Sequence, residues 1–249
     1  DQGLFVMPGM DSSYMWKGYI PHEENPHAYN PVEGYLSSAN QRAADTSYPY
    51  FMPGSYEVYR AIAINRKLAS MNYITAQDMQ LLQNNNYNVF AEDARPILLK
   101  YAIKEQLSAV EKKYLSLVES WNLMNDATEK APTCFTAWWD SLHAEVFNDD
   151  LVQDKMSLAK PEKFVLLEAL QRDSSFKFID NINTPNKEDL YQMVTVALKK
   201  AAKKLASLEK ENKLEWAKYK NTTVYHLLKT NAMAFAREGL MNGGGHGII

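Results

Sequence analysis

The stretch from Trp16 to Gln41, WKGYIPHEENPHAYNPVEGYLSSANQ, limits most strongly what this chain can fold into. It holds two Asn-Pro pairs, Asn25-Pro26 and Asn30-Pro31, and two Gly-Tyr pairs, Gly18-Tyr19 and Gly34-Tyr35. Proline pushes the residue before it out of the helical region, so each Asn-Pro pair starts a turn. The segment is too broken for a helix, and its aromatic content argues against disorder. Loops of this length inside compact domains are usually functional or disordered, which leaves function. The expectation is a turn-rich loop that delivers a short strand, Gly34 to Ser38, and ends on Asn40.

A chain of 249 residues can bury a sizeable core. Its net charge of −3 gives no electrostatic case for nucleic acid. No apolar run reaches the roughly 18 residues that a membrane span needs. The single cysteine, Cys134, cannot form an intrachain disulfide. Residues 1–54 read as a turn-rich segment with short strands at Leu4–Met7, Lys17–Ile20 and Gly34–Ser38. Residues 55–249 read as a helical domain. The predicted fold is therefore mainly α with a few short N-terminal strands (α+β). The opening DQGLFVMPG and the closing GGGHGII are strand-like or apolar, whereas natural termini are usually polar and frayed. The expectation is a fragment, with the helical domain truncated at its C-terminal end.

Helices are predicted over Tyr56–Ala69, after Thr75, across Val89 and Phe90, over Ser108–Trp121, over Pro132–Phe147, over Pro161–Leu170, and from Thr184-Pro185 to Lys210. Thr75 with Asp78 has the spacing of a capping box. Pro96 should kink or restart its helix. Val110, Tyr114, Leu117, Val118 and Trp121 recur at spacings of three and four, which places them on one face. Leu190, Val194, Ala197, Ala201, Leu205 and Leu208 form an apolar stripe opposite Lys199, Lys200, Lys203 and Lys204.

Ordered along the chain, several of these residues form a pattern that resembles the β chain of the penicillin acylase family, the N-terminal-nucleophile amidases. The run Trp16-Lys17-Gly18-Tyr19-Ile20-Pro21 is followed by Asn25-Pro26, by Asn30-Pro31-Val32-Glu33-Gly34-Tyr35, and by Asn40. Pro8-Gly9 precedes it. Tyr48-Pro49, Arg60 and Arg66, Ile74-Thr75-Ala76 and Trp121 follow in the family's order. The similarity is clear over residues 1–150, fades to residue 230 and returns in Gly243–Gly247. It implies the helical part of an N-terminal-nucleophile hydrolase β chain, and a periplasmic or extracellular location in a bacterium.

What the resemblance implies about the site is specific. Asn40, read alone a turn asparagine, falls on the family's oxyanion-hole amide. Arg60, read alone a solvated helix arginine, falls on the arginine that supports the active site. The implied reaction is hydrolysis of acyl amides such as β-lactam side chains or acyl-homoserine lactones, through an acyl-enzyme on an N-terminal serine. Asp1 cannot serve as that nucleophile, so the serine is expected on an upstream segment, and the fragment alone is expected to be inactive. The implied partners are a small acyl-amide substrate and the rest of the same precursor, its α chain and the N-terminal part of its β chain. No cofactor is required. A structural calcium belongs to the family's full-length protein, but Ser47–Tyr59 lacks the aspartate that would help to bind it.

Other groups read as structural. His22, Glu23, Glu24 and His27 have metal-ligand chemistry without the spacing of a zinc site, and a solvated or substrate-facing loop is expected. Gly243–Gly247 lacks the Lys-Ser/Thr of a phosphate loop, and a flexible turn is expected. A rival reading is an extracellular helical glycan- or ligand-binding module. The 15 tyrosines and the asparagine-rich stretch 84–88 would serve it as stacking platforms and polar contacts.

Overall fold

The computed structural model describes residues 6–52, 54, 56–153, 156–157 and 159–248. The chain divides into two compact units, Asp1–Leu82 and Gln83–Ile249.

The first unit is turn-rich up to its helices. Short 3-10 turns form at Ser12–Tyr14 and His22–Glu24. The Asn30-Pro31 pair opens a turn, as expected. Asn30 is left-handed (φ 47°), and the N–H of Gly34 closes a turn onto the Pro31 carbonyl at 3.0 Å. Helix α1 (Tyr59–Ala69) buries Tyr59, Ala61, Ala63 and Leu68. Helix α2 (Ala76–Gln83) starts at the expected capping box: Asp78 accepts from the N–H and hydroxyl of Thr75, and Thr75 Oγ1 accepts from the N–H of Asp78.

The N-terminal strand candidates form no strand among the described residues. Lys17–Ile20 and Gly34–Ser38 run without a paired neighbour, as do Val6 and Met7, while Leu4 and Phe5 lie outside those residues. A strand needs a partner to take its backbone N–H and C=O groups. Here Gly18 (φ 147°) and Gly34 (φ 75°) bend the chain at the start of each candidate. The molecule is mainly helical with few strands, as expected, but those strands lie in the second unit. They are β1 (Val152–Gln153) with β2 (Met156–Ser157), and β3 (Thr222–Val224) with β4 (Arg237–Leu240), two antiparallel ribbons.

The second unit is built on two 21-residue helices, α5 (Ala131–Leu151) and α7 (Leu190–Lys210), packed along each other. Phe135, Trp138, Trp139, Leu142 and Val146 of α5 are fully buried, as are Val194, Ala197, Leu198, Ala201 and Leu205 of α7. Small residues at 197 and 201 leave room for the large rings of α5. The indole N–H of Trp138 donates to the Val194 carbonyl at 3.0 Å, which satisfies the polar atom of a buried ring. Helices α3 (Val89–Tyr101) and α4 (Ala109–Glu119) pack against this pair, and α6 (Lys163–Arg172) and α8 (Trp216–Lys220) complete the unit.

Three helical expectations need correction. Helix α3 runs through Pro96 as one element, so the proline does not restart it, and Ala91, Ala94 and Leu98 are buried on both sides of it. On α4 the buried face is Tyr114, Leu115 and Val118, while Val110 is exposed. Helix α7 begins at Leu190, not after Thr184-Pro185. Asp189 forms a reciprocal capping box with Gln192, whereas the Thr184 hydroxyl is bonded within its own turn, to Glu188 at 2.6 Å.

Candidate active site

The turn that carries Asn40 is assembled against α1, within the first unit. Ala39 is buried at 6% exposure, and Asn40 takes the left-handed conformation (φ 61°), one of the few non-glycine side chains that tolerates it. The Tyr35 hydroxyl reaches the Asn65 carbonyl at 3.5 Å, and the Ser37 hydroxyl donates to Asn65 Oδ1 at 2.7 Å. Arg60 sits on the first turn of α1. Its Nη2 donates to the Ala39 carbonyl at 3.1 Å and to Asn40 Oδ1. The two residues singled out in the sequence are therefore in direct contact.

That contact determines what Asn40 can do. A guanidinium has donors and no acceptor, so it selects the carbonyl end of the amide. The Nδ2 end is left pointing away, with two N–H groups and, among the described residues, no acceptor for them. A neutral, directional donor held by an arginine on a helix is suited to meeting an oxygen on which negative charge develops.

Nothing in the local pattern singles out Gln41 or Asn65 as functional residues. Both matter because they close the turn: Gln41 Oε1 accepts from the N–H of Ala39 at 2.6 Å, and its Nε2 donates to the Ser37 carbonyl at 3.4 Å. Only the folded turn brings these atoms together, so no motif could have announced them.

The remaining candidates are placed elsewhere. His22, Glu23, Glu24 and His27 are exposed. Glu24 accepts from the Tyr50 hydroxyl, which pushes the tyrosine's pKa upward, and His27 Nδ1 bonds the Asn25 carbonyl at 2.8 Å. Among the described residues no group of three or more His, Cys, Asp or Glu side chains could hold a metal ion. Burial first, and Glu209 second, push the Cys134 thiol up to about 12, so it stays protonated and poorly nucleophilic at neutral pH. The asparagine-rich stretch is bonded internally. Asn85 accepts from the N–H of Tyr87, Asn86 donates to Asp126 at 2.8 Å, and Asn88 caps α3. In the lysine patch, Lys200 pairs with Glu145 at 2.6 Å, and Lys204 lies over the Tyr219 ring.

Gly243–Gly247 is no free turn. The N–H of Gly244 donates to the Asn125 carbonyl at 3.0 Å, while its own carbonyl accepts from the Trp216 indole at 2.7 Å. Lys220 donates to the carbonyls of Gly243 and Gly244.

The Penicillin amidase family model matches residues 1–249, and the chain belongs to that family. It is 24% identical over 139 residues to the penicillin acylase 2 proenzyme of Pseudomonas sp. (strain SE83), covering 55% of this chain and 18% of that protein. It is 25% identical over 211 residues to the acyl-homoserine lactone acylase QuiP of Pseudomonas putida (strain KT2440), covering 76% of this chain and 25% of that protein. The QuiP of Pseudomonas fluorescens (strain Pf-5) is 28% identical over 90 residues, covering 36% of this chain and 11% of that protein. The chain thus spans a quarter or less of the length of these curated relatives. Among the described residues no helix is long and apolar enough to cross a membrane.

Proposed function

We propose that this chain is part of an acyl-amide hydrolase in which Asn40 donates to the oxyanion and Arg60 holds it for that task. The observation that carries the reading is the Arg60–Asn40 bond, which engages Oδ1 and leaves Nδ2 available. In such a reaction a nucleophile adds to the acyl carbon and the carbonyl π electrons move onto oxygen. The tetrahedral species then collapses, and the amine leaves with a proton. Water hydrolyses the resulting acyl-enzyme. A donor fixed where the O⁻ forms is worth more to the transition state than to the ground-state carbonyl.

The nucleophile belongs, on this reading, to a serine outside these 249 residues, as the resemblance implies. Several large apolar side chains of the first unit are exposed. Trp16 is 86% exposed, Tyr19 fully and Tyr29 93%. The substrate class is an acyl group joined to an amine by an amide, the linkage common to β-lactam side chains and acyl-homoserine lactones.

The test uses the full-length protein and a panel of chromogenic acyl anilides. Asn40→Ala should lower kcat about 100- to 1000-fold, the usual cost of one oxyanion donor. Wild-type turnover in that variant removes Asn40 from the mechanism. The 249-residue chain alone should give no turnover, and activity from it would place the nucleophile within the chain.

A further inference from the structure

Resting on that reading of Asn40, we propose that Gln41 is a positioning residue for the reaction, acting through the backbone of the turn that presents the Asn40 amide. Asn40 is exposed and left-handed, a conformation that persists only when the surroundings hold it. The polar groups of the turn are held from two sides. Arg60, from α1, takes the Ala39 carbonyl and Asn40 Oδ1. Gln41, from the chain itself, takes the Ala39 N–H at 2.6 Å with Oε1 and the Ser37 carbonyl at 3.4 Å with Nε2.

One side chain thus ties residue 41 back to residues 37 and 39, across the residue whose amide does the chemistry. Ala39 is buried, so its N–H has little access to water if Gln41 is removed. The turn would then reorganise to find another acceptor. Asn65 anchors the same turn further back, through the Ser37 hydroxyl at 2.7 Å, and does not touch the Ala39 N–H. The division of labour is specific: Arg60 orients the amide of Asn40, and Gln41 fixes the backbone on which that amide is mounted. A donor displaced by about 1 Å from a developing charge loses on the order of 100-fold in rate. The chemistry of Gln41 matches the need, because one short side chain supplies both an acceptor and a donor.

A kinetic double-mutant cycle in the full-length enzyme tests this, with active sites counted by the acyl burst. Gln41→Leu should lower kcat per active site on the order of 100-fold with KM near wild type. In the Asn40→Ala background the same change should cost less than about twofold, because Gln41 acts only through Asn40. Gln41→Glu, which keeps the acceptor for the Ala39 N–H and loses the donor, should fall between wild type and Gln41→Leu. It carries the cycle if the leucine variant does not fold. Wild-type kcat in either variant, or the same fractional loss in both backgrounds, overturns the proposal and leaves the role of Asn40 intact. Wild-type kcat in Asn40→Ala itself overturns the reading on which the proposal rests.

Discussion

Arg60 donates from one nitrogen to both Asn40 Oδ1 and the Ala39 carbonyl, so a group without acceptors sets which end of the Asn40 amide faces outward. The substitution Asn40→Asp preserves shape and reverses that chemistry. An ionised carboxylate accepts and cannot donate, and Arg60 beside it favours the ionised form. If the proposed reaction holds, Asn40→Asp in the full-length protein should therefore lose as much as Asn40→Ala, about 100- to 1000-fold in kcat. Steady-state kinetics with burst-counted active sites measure it. An aspartate variant within tenfold of wild type would show that Asn40 contributes shape and not a donor.

Thr195 offers a test of the helical unit that does not involve the candidate site. It is 1% exposed, and its Oγ1 accepts from the N–H of Ile103 at 2.9 Å, tying the end of α3 to α7. Thr195→Val keeps the volume and removes the acceptor, leaving a backbone N–H without a partner. The expected cost is about 1–3 kcal/mol of unfolding free energy. Thr195→Ser keeps the hydroxyl and should cost less, despite losing a methyl group. Denaturant unfolding of both variants decides between them; a larger loss in Thr195→Ser than in Thr195→Val would mean that the methyl, not the bond, matters.

Much of this was legible wherever local chemistry decides structure. The Thr75–Asp78 box and the Ser108 start of α4 are written in neighbouring side chains and appear as read. The α7 stripe held from Leu190 to Leu205 because helical periodicity alone sets it. The start of α7 is ambiguous in the sequence because Thr184-Pro185 and Asp189–Gln192 are both acceptable N-terminal signals five residues apart, and the helix begins at the second, where the capping box closes. Lys17–Ile20 and Gly34–Ser38 have strand composition, but pairing is a long-range property and these residues find no partner in the described chain. At the candidate site, the motif led to Asn40 and Arg60. Gln41 stayed hidden because its bonds exist only after the turn has closed.

Glu209 gives the chain an acid-sensitive contact. It accepts from Lys113 at 2.6 Å and from the Tyr114 hydroxyl at 3.0 Å, and these bonds, the lysine's foremost, hold its pKa below the ordinary 4.5. A carboxylate with a lowered folded pKa binds fewer protons when folded than when unfolded. Its contribution is therefore fully present above about pH 4.5 and is lost as pH falls through the lowered value. Glu209→Gln should lower the midpoint of thermal unfolding at pH 7, and the gap to wild type should close as pH falls below that point. Both partners are well exposed, so the effect is small. A gap that stays constant down to pH 3 would show that Glu209 acts without its charge.

Gly243 is required for space, not for backbone freedom. Its φ is not positive, yet a Cβ there would lie 2.8 Å from the Asn125 carbonyl oxygen and collide with the Asn86 amide. That amide is already engaged with Asp126, and the Asn125 carbonyl with the N–H of Gly244. Neither neighbour can yield without breaking a bond. Gly243→Ala should therefore destabilise the chain by about 1–3 kcal/mol, the usual cost of overpacking. Gly245 sits nearby under a different constraint, since a Cβ there would meet only the Trp216 ring at 3.2 Å and Ile248 at 3.9 Å. An aromatic edge can shift by a few tenths of an ångström, so Gly245→Ala should cost less. Thermal unfolding of the two alanine variants side by side checks the order. If Gly245→Ala proves the more damaging, the Trp216–Gly244 contact, and not the Asn86–Asn125 seam, is what fixes this segment in place.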